Sequence, residues 1–222
     1  LALRVSGTMA RLDAQVSAPS PGLGLGLAGL EAQIIGSDGG FRLDARAQSD
    51  YGPVSAEVLI AAGTPLTLSV TRGDLGGISF AGTLQQTQAG PFTGRLDASG
   101  RGVEGVVRLD GQGPRQVASV SLRARNTSLP GAAGLSIGSA IVDATLLLGD
   151  RPDITADIQL GRAAWRDLRL SAGRLKLDYR EGAGTARFVA DGASGVPFRL
   201  AGSADLQPDL WRMTVNGRMA GV

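Results

Sequence analysis

The acidic residues between positions 143 and 178 are the part of this sequence whose side chains could support chemistry. Asp143, Asp153, Asp157, Asp167 and Asp178 are the type that a pair of glycosidase carboxylates or a calcium site would use. They lie in separate segments and mostly on the polar phase of an alternating pattern, which predicts a solvated outer face. The sequence has no histidine and no cysteine, so the commonest general base, the commonest metal ligand and thiol chemistry are missing. We therefore expect no enzyme activity, no cofactor and no metal site.

Two further features have a structural and a functional interpretation. Gly22, Gly24 and Gly26 are spaced like part of a dinucleotide-binding loop, but no hydrophobic strand precedes them and no helix follows, so we expect a turn-rich loop. Trp165 and Trp211 either pack at the rim of a sheet or anchor a lipid headgroup there, because indole is apolar with one polar atom.

The elements that must position these residues are predicted by an apolar/polar alternation of period two. In residues 196–206, Phe198, Leu200 and Ala204 fall on one phase, whereas Arg199 and Asp205 fall on the other. This period is typical of β-strands with one apolar face. The same pattern recurs from Phe41 to Val215, which predicts about fifteen strands of roughly 5 to 9 residues. We expect an all-β, antiparallel meander that must curl or close to cover its apolar face.

Composition describes the two faces. Aromatic residues are only 4% of the chain, so the apolar face is aliphatic, and the 34 glycines are expected mainly in hairpin turns between the strands. The net charge is +2, and arginines alternate with aspartates along the sequence instead of gathering into a patch. With few aromatic residues available for stacking, no nucleic-acid partner is predicted.

The chain is predicted to be one unit. Residues 1–222 are interpreted as a single elongated segment cut from a longer chain, because the sequence starts within the pattern at Leu1. Irregular stretches are expected at 19–29 and at 126–138, and the second is the candidate for a subdivision. Hairpin turns are expected at 37–40, 72–77, 110–114, 149–152 and 181–184. No apolar run is long enough for a membrane-spanning helix.

The candidate binding surface consists of the apolar-phase residues of the best alternating blocks. These residues are Phe41, Leu43, Val58, Ile60, Leu66, Leu68, Ile78, Phe80, Leu122, Leu146, Leu148, Ile154, Ile158, Leu160, Leu175, Leu177, Tyr179, Phe188, Phe198, Leu200, Trp211, Met213 and Val215. A one-residue bulge would reverse the phase beyond it.

Several short phrases in the final third resemble a known family. They are the run 153–160 (DITADIQL), residues 177–180 with Gly182 and Gly184, residues 190–192, 194–199, 204–206 and 210–212, and Gly217. With them, residues 142–222 resemble the bacterial TamB family of AsmA-like proteins, whereas residues 1–141 share only the texture of short alternating strands with glycine turns. The related YdbH-type proteins share the groove that this family has, and membership of that type stays open.

The resemblance implies an elongated, curled antiparallel sheet with a U-shaped, aliphatic groove. It implies a periplasmic location, with a tether to the inner membrane through a region absent from this segment. The groove would conduct phospholipids between inner and outer membrane, and a C-terminal region absent here would contact an outer-membrane barrel protein in the assembly of outer-membrane proteins.

Two other classes stay open at this point. One is a structural β-solenoid or adhesin-like stalk whose apolar face is a filled core, although solenoids usually show shorter strands and regular coils. The other is a β-sandwich binding module, which usually has more aromatic residues.

Overall fold

The computed structural model describes residues 2–8, 11–20, 26–37, 39–128, 135–149, 152–208 and 210–219. These residues form sixteen β-strands. The strands are β1 (Ala2–Thr8), β2 (Arg11–Ala18), β3 (Ala28–Ser37), β4 (Gly40–Ser49), β5 (Gly52–Ala61), β6 (Thr67–Leu75), β7 (Ile78–Gln86), β8 (Phe92–Gly100), β9 (Val103–Gln112), β10 (Arg115–Ser128), β11 (Leu135–Leu148), β12 (Asp153–Trp165), β13 (Leu168–Arg180), β14 (Ala183–Ser194), β15 (Val196–Leu206) and β16 (Trp211–Met219). In these ranges no helix is long and apolar enough to cross a membrane.

All the strands belong to one antiparallel meander. The order in the sheet is the order in the chain, from β1 to β16, and the sheet is not closed. The predicted all-β antiparallel fold is confirmed, although strands β10 to β15 are longer than expected, at 11 to 14 residues. Hairpin loops alternate between two long edges. We call the edge with the turns after odd-numbered strands the odd edge, and the other the even edge.

The sheet is curled, with its apolar face on the concave side. A flat single layer would expose like side chains equally on both faces, but here they differ. Leu84 and Val103 on the apolar face are each 8% exposed, whereas Leu59 and Val189 on the opposite face are 46% and 51% exposed. We call the less exposed side the inner face and the other the outer face.

The curl leaves the inner face open. No large side chain of the described residues is fully buried, and the buried apolar residues are mainly alanines. The chain exposes 14182 Å², against about 9,500 Å² expected from its mass of 22.6 kDa for a compact monomer. A filled core of ordinary packing is therefore absent from the described part.

Bulges keep the apolar residues on one face where the sequence changes phase. In β6 the inner residues are Leu68 and Val70 and then Gly73 and Leu75, with Thr71 as the extra residue between them. Similar irregularities lie near the even edge at Gly138 in β11 and Ser171 in β13. Because bulges bend strands, this line of irregularities contributes to the curl.

The structure corrects some turn and glycine predictions. Strand β6 continues to Leu75, so the turn expected at 72–77 is only Gly76 and Gly77. Many glycines, such as Gly173 and Gly202, lie inside strands instead of in hairpins. Of the irregular stretch at 126–138, residues 129–134 lie outside the described residues. Strands β10 and β11 pair directly, so one sheet includes both sides of this stretch.

Candidate functional site

One row of directly paired residues crosses the inner face from the first strand to the last without a polar side chain. Each member is the cross-strand partner of the next, and we call this set the inner row. It consists of Val5, Ala14, Ile34, Leu43, Val58, Val70, Gly82, Leu96, Val107, Val120, Ala144, Ala156, Leu177, Ala186, Ala204 and Met213. From Ala14 to Ala204 every member is buried or half-buried. The inner face is therefore a continuous aliphatic strip along the whole sheet.

The adjacent row on the outer face has the opposite character. This outer row consists of Ser6, Asp13, Ile35, Arg42, Leu59, Ser69, Thr83, Arg95, Arg108, Ser119, Thr145, Thr155, Asp178, Thr185, Asp205 and Arg212. Only Ile35 and Leu59 are apolar in it. Two rows one residue apart thus separate apolar from polar surface over sixteen strands.

Most residues of the predicted binding surface lie on the inner face and are half-buried. Cross-strand pairs such as Phe41 with Ile60 and Ile158 with Leu175 bring them together. Leu66 precedes β6 and is half-buried. The exposed members are Leu148, Trp211, Met213 and Val215. The last three lie on β16, which has a neighbour on one side only.

Inner glycines make room for large side chains on the next strand. A Cβ atom on Gly202 would lie 2.6 Å from Cζ of Phe188, and one on Gly192 would lie 2.8 Å from Cζ of Phe198. Each phenyl ring therefore lies flat over a neighbouring glycine, an arrangement that satisfies both residues in a sheet. The sequence signal for this is a phenylalanine and a glycine at equal register in consecutive strands, which alternation alone does not reveal.

Ion pairs occur at several places on the outer face. Arg174 donates from Nε to Asp157 at 2.9 Å, and Lys176 lies 3.9 Å from the same carboxylate. The hydrogen bond from Arg174 lowers the pKa of Asp157 below its ordinary value, and it raises the pKa of Arg174. Because the carboxyl pKa is lowered on folding, the pair stabilises the fold at neutral pH and loses that effect as the pH falls through the lowered pKa.

The outer face has shallow depressions but no chemistry-bearing cluster. One depression of about 790 Å³ extends over β9 to β14 and is lined by residues that include Arg108, Asp143, Asp157 and Arg187. Within the described ranges, no group of three or more acidic residues is placed to hold a metal ion. Several acidic residues of the outer face instead pair with arginines on their own or neighbouring strands, and Asp143 accepts a hydrogen bond from the hydroxyl of Ser121.

The two tryptophans lie at the ends of strands. Trp165 closes β12 at the even edge, and the guanidinium of Arg166 lies 4.9 Å from the centre of its ring. Trp211 begins β16 at the odd edge and is 74% exposed. Both positions are at the rim of the inner face, because Trp165 pairs with Leu168 and Trp211 with Leu206.

The fold and this surface define an open, single-layer antiparallel sheet with an aliphatic inner face. Comparisons with protein-family models, with curated proteins and with solved structures return no match to this chain. The likeness of residues 142–222 to the TamB family therefore stays a prediction from the sequence.

Proposed function

We propose that this segment shields and conducts the acyl chains of phospholipids along its inner face. The observation that carries the proposal is the inner row, which is apolar at every one of its positions from β1 to β16. A moving acyl chain needs such continuity, because each polar residue on the way would have to be desolvated against it.

The energetics fit a track better than a tight binding site. Burying a methylene group contributes about 0.8 kcal/mol, so a chain of sixteen carbons gains on the order of 12 kcal/mol, much as it does in a bilayer. The inner face is aliphatic and has few specific features, so positions along it differ little in affinity. A lipid can then move between neighbouring positions without a deep energy minimum.

The alternative is a structural stalk in which the apolar face is a filled core. A filled core would bury large aliphatic side chains fully, because protein interiors are close-packed. Instead, the inner leucines and isoleucines of the described residues are mostly only half-buried. This observation favours an inner face that is completed by a ligand.

Location and partners follow from the TamB resemblance alone. By that resemblance the segment is part of a periplasmic bridge between inner and outer membrane, tethered to the inner membrane through a region outside this sequence. Its second role would be in outer-membrane protein assembly, with a barrel protein as the partner. A YdbH-type relative would share the groove.

Photo-crosslinking of the purified chain to lipid tests the proposal. A benzophenone amino acid is placed at Leu200 or Phe198 on the inner face, with Arg199 on the outer face as the matched control within β15. The protein is incubated with vesicles of phosphatidylethanolamine and phosphatidylglycerol and irradiated. We expect phospholipid adducts at Leu200 and Phe198 and none at Arg199.

The stalk interpretation gives the opposite result. If the inner probes crosslink only within the protein, the inner face is a closed core and the lipid proposal is wrong. Equal adducts at all three positions would show nonspecific adsorption and would also contradict it.

A further inference from the structure

Arginines from distant parts of the chain meet at the even edge of the sheet. Two of them lie in the turns after β8 and β12, and the others lie near the even-edge ends of β10, β12 and β13. We call this set the arginine rim, and it consists of Arg101, Arg123, Arg125, Arg162, Arg166 and Arg169. Arg125 and Arg162 are both paired with Ser139, so they lie two strands apart, about 10 Å. This gathering was not expected from the alternation of charges along the sequence.

The arginine rim is exposed, and its members form no ion pair within the described residues. All six side chains are exposed, and among the described residues none forms an ion pair with a carboxylate. The acidic residues close to the rim are Glu104, which is the cross-strand partner of Arg123, Asp167, and Asp74 beside the turn that Arg101 contacts. Six arginines against these three carboxylates leave the rim with a positive excess. Elsewhere on the outer face some arginines, such as Arg174 and Arg199, are paired with aspartates, and those without an ion pair, such as Arg46 and Arg108, are not gathered at one edge.

The opposite edge carries the reverse charge over the same strands. On the odd edge of β9 to β14 the described charged residues include Asp110 and Glu181, whereas Arg115 and Arg180 are paired with Asp153 and Asp178. An anion at the opening of the inner face is therefore attracted to one edge and repelled by the other. The two edges flank the same aliphatic strip.

Backbone irregularities and a tryptophan place this charge beside the apolar surface. Asn126 has a φ of 47°, and Gly138, Gly161 and Ser171 lie in register shifts, so the four neighbouring strands β10 to β13 are irregular close to the rim. The ring of Trp165 is on the inner side of the edge, and the guanidinium of Arg166 lies over it. The apolar ring of Trp165 and the positive charge of Arg166 therefore lie next to each other in the turn after β12.

We propose that the arginine rim holds the phosphate group of phospholipids whose acyl chains lie on the inner face, so that headgroups line up along the even edge only. The inference rests on the proposed lipid function. It adds a preference for lipids with a phosphate group and names the even edge as the place where the headgroups lie. Guanidinium groups bind phosphate with paired hydrogen bonds, and their long apolar stems extend along a rim while the charge stays in water. A lipid with the same acyl chains but no phosphate would lose this contact.

Binding of two soluble lipids that differ only in the phosphate tests the inference. Dioctanoyl phosphatidic acid and dioctanoylglycerol are titrated into the purified chain at low salt, where exposed charges act most strongly. The rim variant carries Arg101→Gln, Arg125→Gln, Arg162→Gln and Arg166→Gln. A control variant with the same loss of charge carries Arg46→Gln, Arg95→Gln, Arg108→Gln and Arg187→Gln, and circular dichroism checks that both keep the fold.

We expect the wild-type chain to bind the phospholipid about tenfold more tightly than the neutral lipid, from four exposed contacts of modest strength. The rim variant should bind both lipids with the affinity that the wild-type chain has for the neutral lipid. The control variant should keep the preference for the phospholipid. Neutral-lipid binding without any preference in the wild type, or a preference that the rim variant retains, would overturn the rim and leave the groove intact. Failure of the wild type to bind either lipid would instead overturn the lipid function itself.

A single-stranded oligonucleotide of twenty bases is the competing anion in the same titration. If it binds the wild type more tightly than the phospholipid does, and the rim variant abolishes that binding, then the rim is a nucleic-acid surface and the inference is wrong. If it binds no more tightly to the wild type than to the rim variant, and more weakly than the phospholipid does, the lipid assignment is supported.

Discussion

Gly202 shows how strongly a single position on the inner face is constrained by the neighbouring strands. A Cβ atom there would lie 2.6 Å from Cζ of Phe188 and 2.6 Å from the carbonyl oxygen of Thr214. The phenyl ring can rotate away, but the carbonyl belongs to the ladder between β15 and β16. An added methyl group must therefore displace the ring and also shift the backbone of β15 relative to β16.

We predict that Gly202→Ala destabilises the fold by about 1 to 3 kcal/mol, as overpacking usually does. Gly173→Ala is the matched control, because Gly173 is also an inner strand glycine but its nearest contacts are ordinary, with Cβ of Leu160 at 3.5 Å. That substitution should be neutral or slightly stabilising, since alanine restricts the unfolded chain. Urea unfolding of both variants measures the difference. Equal free energies of unfolding would mean that the ring does not occupy the space over Gly202.

The sequence predicts on which face of the sheet a residue lies more readily than it predicts which residues contact it on the adjacent strands. Alternation places Phe188, Phe198 and Leu200 on the inner face without any knowledge of the partner strands. The role of Gly202 depends on which residue is opposite, and this is set by the register of β14 and β15. The sequence predicts glycines mainly in hairpin turns, because only the hairpin role has a local signal, and it assigns no role to a strand glycine such as Gly202.

At the level of the strand, what matters is that bulges preserve the apolar phase. In β6 the apolar positions change from even to odd numbers, and Thr71 is the extra residue that keeps Leu75 on the inner face. The hydroxyl of Thr71 donates to the carbonyl oxygen of Glu57 at 3.1 Å, which satisfies a backbone group beside the bulge. Sequence reasoning anticipates that bulges exist but cannot locate one, since the same letters fit a turn at 72–77.

Strand β15 offers a test of the apolar phase with two adjacent residues. Leu200 is half-buried between Ala190 and Gly217 on the inner face, and Ala201 is exposed on the outer face. We predict that Leu200→Asp weakens phospholipid binding at least tenfold, because a carboxylate on the track must be desolvated and displaces about two methylene contacts. Ala201→Asp should leave the affinity unchanged. Titration with dioctanoyl phosphatidylglycerol measures both.

A second pair of substitutions compares the loss of lipid affinity on β16 with the loss on β15. Val215→Asp on the exposed strand β16 should weaken binding less than Leu200→Asp does, because Val215 is already 48% exposed. Asn216→Asp is its outer-face control. If the inner and outer aspartates had equal effects in both pairs, the alternation would be irrelevant to binding and the groove proposal would fail.

For the whole molecule, the order of the strands brings together residues that no local pattern connects. Arg101, Arg125 and Arg166 are far apart in sequence, but a meander with turns on alternate edges places them on the same edge. Local alternation shows only that each arginine has a polar environment. The all-β class and the apolar face are thus predictable from the sequence, whereas the arginine rim requires the complete strand order and the length of each strand.

The large exposed area predicts the shape of the molecule in solution. Sixteen strands about 4.8 Å apart make a sheet about 70 Å long, and such a body has a radius of gyration of about 23 Å. A compact domain of 222 residues would have about 17 Å. We expect small-angle X-ray scattering of the monomer to give the larger value, with and without bound lipid, because lipid fills the inner face without changing the strand order. A value near 17 Å would mean that the sheet folds back on itself, and the inner face would then be a core that only protein fills.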